Sequence, residues 1–189
     1  DGETANTQIV YHDYEKAPLL FEVRGLPQSK DAKDMDKYKG AGVGVIVECE
    51  GGYVVVPSYS SATAYDKEGK MIKEWKGSED HFKNFILACR SRHLSSALCH
   101  TGNISYRLGK QAEPDAIREQ IKGDRFAQES FDRMGEHLSK NGVDIKSDKI
   151  TLGPSLKFDP EAEKFIGNDA ANALVRPKYR DPYVVPEIS

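Results

Sequence analysis

Polar residues recur at helical spacing in the middle of the chain: His93, Ser96, His100, Asn103 and Arg107. On an α-helix, steps of three and four place them in one stripe. Imidazole, hydroxyl, amide and guanidinium groups in a row supply many hydrogen-bond donors, where an ordinary solvated face favours Lys and Glu. Such a row suits the hydroxyls of a sugar, or a contact with a second subunit. It also fits a plain exposed helix face with one or two buried hydrogen bonds, and the sequence leaves both open. It does not suit a metal ion. His93 and His100 stand two turns apart, about 10 Å along a helix axis, whereas a chelating pair needs i, i+4 spacing. The other histidines, His12, His81 and His137, are scattered, and no His-x-His or Glu-x-x-His occurs.

Two further clusters carry polar chemistry. Ser58-Tyr59-Ser60-Ser61 follows Pro57 at the end of an expected strand, where Tyr59 and Ser60 are positioned to donate to hydroxyls. No matched base accompanies these serines and no Gly-x-Ser-x-Gly turn occurs, so a nucleophile is not expected. Arg24 shares a strand face with Glu22, which suggests either an ion pair within the sheet or recognition of an anion. Gly40-Ala-Gly42-Val-Gly44 has the look of a dinucleotide loop but fails as one. Its third glycine would fall at Val45, and the glycines precede a strand instead of following one and opening a helix. No Gly-x-x-x-x-Gly-Lys-Ser/Thr is present. The candidates for a substrate pocket are therefore Arg24, Tyr59, Ser60, His93, Ser96, His100, Asn103 and Arg107, with no catalytic, cofactor-binding or metal-ligating residue among them.

Six short runs rich in β-formers lie between residues 6 and 75. Thr7–Asp13 and Leu19–Arg24 flank a turn at Tyr14–Pro18. Val43–Glu48 and Tyr53–Val56 flank Glu50-Gly51-Gly52, and Thr63–Tyr65 and Met71–Trp75 flank Asp66–Gly69. Hairpins join antiparallel strands, so the fold class is α+β: a largely antiparallel open sheet of about six strands with helices packed on one face. Val43, Val45 and Val47 mark the dry face, and Gly44, Ile46 and Glu48 a mixed face that is solvated, lines a pocket or meets another chain. Gln28–Gly40, rich in Lys and Asp, reads as an exposed, mobile loop.

Helices follow over 78–141. Ser78 with Asp80 starts the first, with Phe82, Phe85, Ile86 and Cys89 at helical spacing. The second runs over His93–Leu108 to Gly109, with Leu94, Ala97, Leu98, Thr101, Ile104, Ser105 and Leu108 as its core stripe. Pro114 opens a third over Asp115–Lys122. The fourth, Phe126–Ser139, carries Phe131, Met134 and Leu138 and ends at Asn141-Gly142. Leu156–Asp159 suggests a short strand, Pro160–Ile166 a helical turn, and the proline-rich Arg176–Pro186 an extended strap. The whole reads as a single domain over 1–189.

Composition narrows the function classes. Hydrophobic residues make up 38% and charged residues 30% of 189, a globular balance. A net charge of -3 with no basic excess argues against nucleic acid. No apolar run reaches the roughly 20 residues of a membrane-spanning helix. Cys49, Cys89 and Cys99 lack Cys-x-x-Cys spacing and sit in apolar segments, as buried free thiols do; a Cys89–Cys99 bridge is open but not required.

Three long stretches add a resemblance. Pro18-Leu-Leu-Phe-Glu-Val-Arg-Gly-Leu-Pro27, Glu50-Gly-Gly-Tyr-Val-Val-Val-Pro-Ser-Tyr-Ser-Ser61 and His93-Leu-Ser-Ser-Ala-Leu-Cys-His-Thr-Gly-Asn-Ile-Ser-Tyr-Arg-Leu-Gly109 resemble the C-terminal α/β domain of bacterial Gfo/Idh/MocA-type oxidoreductases. That family is named for glucose–fructose oxidoreductase, inositol dehydrogenase and a rhizopine catabolism protein. The match spans most of residues 6–109. It implies a parent enzyme whose preceding Rossmann domain binds NAD or NADP and passes a hydride to or from a sugar or polyol. The family's Glu-Lys-Pro segment and Gly-x-His-x-x-Asp pattern have no counterpart here, so its catalytic roles are not carried onto this chain. Asp1-Gly2-Glu3-Thr4 is similar to the stretch after that pattern, and a start at Asp1 without an initiator Met suits an excised fragment. The family's short polar insert is missing at Arg92–His93: either the chain is shortened there or residues are absent at that point.

The resemblance thus implies a catalytically silent fragment without its own cofactor. Its partners would be the Rossmann domain, a sugar or polyol, and a second copy in a homo-oligomer through the sheet face, with no nucleic acid and no membrane. It implies an exported, periplasmic parent, with a cytoplasmic one as the alternative. Two other readings stand beside it: a standalone binding or assembly module, and a cofactor-free enzyme built on His100.

Overall fold

The computed structural model describes residues 5–77, 80, 82, 83, 86, 97–147 and 150–175. In chain order these form β1 (Thr7–His12), β2 (Leu19–Arg24), β3 (Val45–Cys49), β4 (Gly52–Ser58), β5 (Ser61–Asp66), β6 (Met71–Lys76), α1 (Ala97–Arg107), β7 (Lys110–Ala112), α2 (Pro114–Ile121), α3 (Arg125–Lys140), β8 (Ile150–Leu152), β9 (Phe158–Asp159), β10 (Lys164–Phe165) and α4 (Asp169–Ala173). The class is α+β with antiparallel pairing. The first six strands lie where their β-formers and turn residues put them. They divide into a two-stranded β1–β2 sheet and a four-stranded sheet in the order β3-β4-β5-β6. Of the first expected helix only residues 80, 82, 83 and 86 are described: Asp80 Oδ1 accepts from the N–H groups of Phe82 and Lys83 as a helix cap does, and Phe82 and Ile86, expected at core spacing, are exposed. The Arg92–His93 junction and the strap over 176–186 lie outside the described residues.

The chain forms two compact units. Unit 1 comprises Asp1–Glu22, Ser95–Asp132 and Asp144–Ser189; unit 2 comprises Val23–Leu94 and Arg133–Val143. In unit 1, Ile104 on α1, Phe165 on β10 and Ala171 on α4 are buried together, with Leu108, Leu156, Phe158, Leu174 and Val175 packed around them. Phe158 and Phe165 meet edge to face at 5.1 Å between ring centroids. Asn172 satisfies the Phe165 peptide from both sides, accepting from its N–H at 2.7 Å and donating to its carbonyl at 2.9 Å. Asn168 caps α4 by accepting from the Ala171 N–H at 2.8 Å. Residues 160–163, expected within a helical turn, are instead the turn of the β9–β10 hairpin. Asp159 Oδ1 accepts from the N–H groups of Glu161 and Ala162 and fixes that turn.

The amino end of α3 ties down β1. Asp124 Oδ1 accepts from the Ala127 N–H at 2.9 Å, and its Oδ2 accepts from the Tyr11 hydroxyl at 2.7 Å. The Ala127 bond first, then the Tyr11 bond, holds the Asp124 carboxyl below its ordinary range. The bond to Asp124 in turn pushes the Tyr11 phenol up to about 12. Helix α1 approaches its neighbours closely at two glycines. Gly102 lies against Val10, and Gly153 lies against the backbone of Ser105.

In unit 2 the sheet's two faces are the reverse of the sequence expectation. The mixed face is the closed one. Val55 is buried there, Tyr53 stacks on Tyr65 across the strands at 5.1 Å, and Lys39 sits 3.7 Å over the Tyr53 ring while pairing with Glu48. The valine face is the open one: Val45 is 53% exposed, Val47 48% and Trp75 45%. Lys39, from the loop after β2, bears on the reversal: it reaches over the mixed face to the Tyr53 ring and to Glu48. The Cys49 thiol, expected to be buried, is exposed and free. Between Met71 and Lys73 the register of β6 against β5 shifts, leaving Ile72 as the extra residue of a bulge. Among the described residues no helix is long and apolar enough to cross a membrane.

Two outcomes follow from unit 1. Spectrophotometric titration should find one tyrosine ionising at about 12, and Tyr11→Phe should remove it and raise the Asp124 carboxyl. The Tyr11 contribution to stability is full below pH 10.0 and fades as pH rises toward about 12; that of Asp124 is full above pH 3.8 and fades as pH falls below it. Gly153→Ala would place a methyl 2.3 Å from Ser105 Oγ and 2.9 Å from its carbonyl oxygen. It should cost roughly 1–3 kcal/mol in a denaturant titration. Gly51→Ala, with nothing within 4 Å, should stay within about 0.5 kcal/mol of the parent.

Candidate functional site

Of the residues singled out in the sequence, Arg24, Tyr59 and Ser60 belong to unit 2 and His100, Asn103 and Arg107 to unit 1. His93 and Ser96 lie outside the described residues. On α1, His100 is exposed, its Nε2 3.1 Å from the Val175 carbonyl, which holds the chain leaving α4. Asn103 is half-buried, and its Oδ1 is enclosed without a hydrogen-bond partner. Arg107 is exposed in the last turn of the helix. The stripe keeps its helical spacing, yet each described member does something different. Its opposite side behaves as expected, with Ile104 in the core and Ser105 donating to the Pro154 carbonyl at 2.8 Å.

The serine cluster is a hairpin tip. Tyr59 and Ser60 form the turn between β4 and β5, with Tyr59 89% exposed. The hydroxyls of Ser58 and Ser61 are bonded to each other at 2.7 Å, and Ser58 Oγ accepts from the Ser60 N–H at 3.3 Å. The cluster's polarity is largely spent on its own geometry.

Arg24 is different. It lines a cleft of about 160 Å³ within unit 2, together with Asp36, Lys37, Tyr38, Arg133, Glu136, His137 and Lys140. Three local causes build it. The end of β2 delivers Arg24. Positions 133, 136, 137 and 140 share one face of α3 because they recur at steps of three and four. The loop after β2 supplies the remainder and is tied down along its length. Gln28 N–H donates to the Asp34 carbonyl at 2.9 Å, Lys30 N–H to the Lys140 carbonyl at 3.1 Å, and Tyr38 and Ala41 exchange two backbone bonds. The Asn141 side-chain amide donates to both Pro27 and His137 carbonyls at 2.9 Å. The tight Tyr38–Ala41 turn needs left-handed backbone at Lys39 (φ 48) and Gly40 (φ 82). The loop is exposed over most of its length, as expected, and these backbone bonds tie it at several points.

Asp36 is the hub of the cleft. Its Oδ2 lies 3.5 Å from Arg24 Nε and 3.2 Å from His137 Nδ1, and its Oδ1 accepts from the Lys37 N–H at 2.8 Å. The Arg133 guanidinium stacks over the Tyr38 ring at 4.1 Å. Lys140 pairs with Glu136 one turn away at 2.8 Å, and that bond raises its ammonium above the usual lysine range. The His137 side chain is fully buried, and neither ring nitrogen makes an aligned hydrogen bond, Nδ1 being near Asp36 but poorly directed. An enclosed donor without an acceptor costs about 1–3 kcal/mol.

In the sequence His137 is only one of three scattered histidines, and nothing in it gives Lys37, Arg133 or Lys140 a role. One signal was available: His137 continues the Ala127, Ser130, Phe131, Met134 stripe, so a polar group had to enter the interior. Among the described residues no group of three or more His, Cys, Asp or Glu side chains is arranged to hold a metal ion. Comparison of the chain with protein-family models, with curated proteins and with solved structures found no match.

Proposed function

We propose that the chain serves as the C-terminal domain of an NAD(P)-dependent oxidoreductase acting on a sugar or polyol, where it supplies a pocket wall and a subunit interface. The resemblance carried by residues 18–27, 50–61 and 93–109 supports the family. One observation supports the role in assembly: the open apolar face of the four-stranded sheet. Antiparallel register puts Val45, Val47, Val54, Val56, Ala62, Ala64 and Trp75 on that side. Val45, Val47 and Trp75 are each about half exposed. Four valines and two alanines, with Lys73 opposite Ala64 and over the Trp75 ring at one edge, make a largely apolar face of the kind a second sheet packs on. A two-fold pairing of such faces would be self-complementary and should bury roughly 1,000 Å² or more.

The hydride chemistry belongs to the parent and its dinucleotide domain. This chain's contribution is shape and hydrogen bonding, through Arg24 in unit 2 and through His100, Asn103 and Arg107 in unit 1. The same face supports a second reading, a standalone binding or assembly module, and the reading frame upstream of Asp1 separates the two.

Light scattering on the eluting protein should give a dimer or larger at micromolar concentration. The double variant Val45→Lys/Val47→Lys should give a monomer with an unchanged circular dichroism spectrum. A wild-type chain that elutes as a monomer would remove the interface. NADH added to this chain should show no rise in nicotinamide fluorescence; a saturable rise would contradict the assignment of cofactor binding to a separate domain.

A further inference from the structure

We infer that Asn141 is a deamidation site gated by the loop after β2. Its side-chain amide is held while the loop is docked and is hydrolysed when the loop lifts, and the carboxylate left behind keeps the loop from docking again. The inference rests on unit 2 alone and does not depend on the family reading.

The sequence supplies the reacting pair. Asn141 is the only one of the six asparagines that a glycine follows. With no Cβ on the next residue, the Gly142 nitrogen can approach the Asn141 side-chain carbon with the least steric hindrance. Gly142 is exposed past the end of α3 at φ 79, and nothing beyond its chain neighbours lies within 4 Å of where a Cβ would stand. Ring closure therefore has room.

The chemistry needs only water. The Gly142 nitrogen, its proton lost to hydroxide, attacks Asn141 Cγ. A C–N bond forms, the Cγ–Nδ2 bond breaks, and Nδ2 takes a proton from water and leaves as ammonia, which returns the hydroxide. One water then opens the five-membered imide, at one carbonyl to aspartate and at the other to isoaspartate. Nothing is oxidised or reduced.

The docked loop and the wound end of α3 oppose each part of that step. Nδ2 donates to the carbonyls of Pro27 and His137, both at 2.9 Å. An amide that meets two carbonyls must present its nitrogen to them. The Gly142 N–H donates to the Ser139 carbonyl at 3.0 Å, and the flanking Asn141 and Val143 N–H groups both donate to Leu138 at 3.0 Å. The nucleophile thus keeps its proton and cannot swing onto Cγ without unwinding the last turn. Three contacts seat the loop on this helix end: Asn141 on Pro27, the Lys30 N–H on the Lys140 carbonyl, and Asp36 beside the His137 ring.

The product reverses the sign of the first contact. Two carbonyl oxygens that accepted N–H groups would face a carboxylate, which has no proton to give and carries a negative charge. Redocking is disfavoured, and the device runs one way.

The test incubates the full chain in mildly alkaline buffer, folded and in denaturing urea, and follows conversion of Asn141 by peptide mapping. The folded chain should react at least about ten-fold more slowly. Asp36→Ala removes the loop's contact with the His137 ring and leaves both carbonyls in place. It should speed conversion several-fold in a chain whose circular dichroism is unchanged. Urea below the global transition should do the same to the parent chain, which serves if Asp36→Ala fails to fold. Asn141→Asp should speed hydrogen exchange of the Lys30 N–H about ten-fold while leaving the amides of α2 as they were. Equal rates in folded and unfolded chains, no acceleration by either Asp36→Ala or low urea, or a Lys30 amide indifferent to Asn141→Asp would each overturn the inference.

Discussion

Two buried polar side chains on one helix set the terms on which much of this chain folds. Ser130 and His137 lie on the same stripe of α3, and each is withdrawn from water. Each therefore needs a polar neighbour from elsewhere in the sequence. For Ser130 it is Glu22, which accepts its hydroxyl at 2.5 Å from a position 108 residues earlier. For His137 it is Asp36. The first contact ties β2 to the helix, and the second draws in the loop that follows β2. An all-apolar stripe would have left those segments free to choose other surfaces. Because α3 contributes residues to both compact units, a single helix carries both requirements.

What the sequence made legible follows physical range. The six early strands were readable because β-branched and aromatic runs alternate with glycine and proline turns, and both signals are local. Gly109, Pro114 and Asn141-Gly142 marked helix limits for the same reason. The β7–β8 and β9–β10 pairs were not readable. Strands of two and three residues show no periodicity, and Lys110 pairs with Leu152 with α2 and α3 lying between them in the sequence. The valine face misled because Val43, Val45 and Val47 look dry in isolation. Nothing near them in sequence says that Lys39 will stack on Tyr53 and close the other side.

The candidate site divides along the same line. Arg24 is legible as a charge sharing a strand face with Glu22, and it forms an ion pair with Asp36. Its companions were not, since Asp36 and Lys37 resembled solvated loop residues and Arg133 and Lys140 ordinary helix surface. Only the fold brings these four together, and only His137, polar on an apolar stripe, carried a local warning. His100 shows the opposite case: its placement in a donor-rich row looked functional, and its ring meets a neighbouring carbonyl. A residue's type at a helical interval thus said where it would face and little about what it would meet.

The bulge at Ile72 bears on how copies of this sheet can associate. Among the described residues β3 and β6 are the outer strands, and β6 carries both the register shift and Lys73 and Lys76. A kinked, lysine-bearing border is a poor template for another strand. Within this sheet an added strand is better accommodated beside β3 than beside β6. One extra residue in β6 thus makes the two borders of the sheet unequal as sites for strand addition.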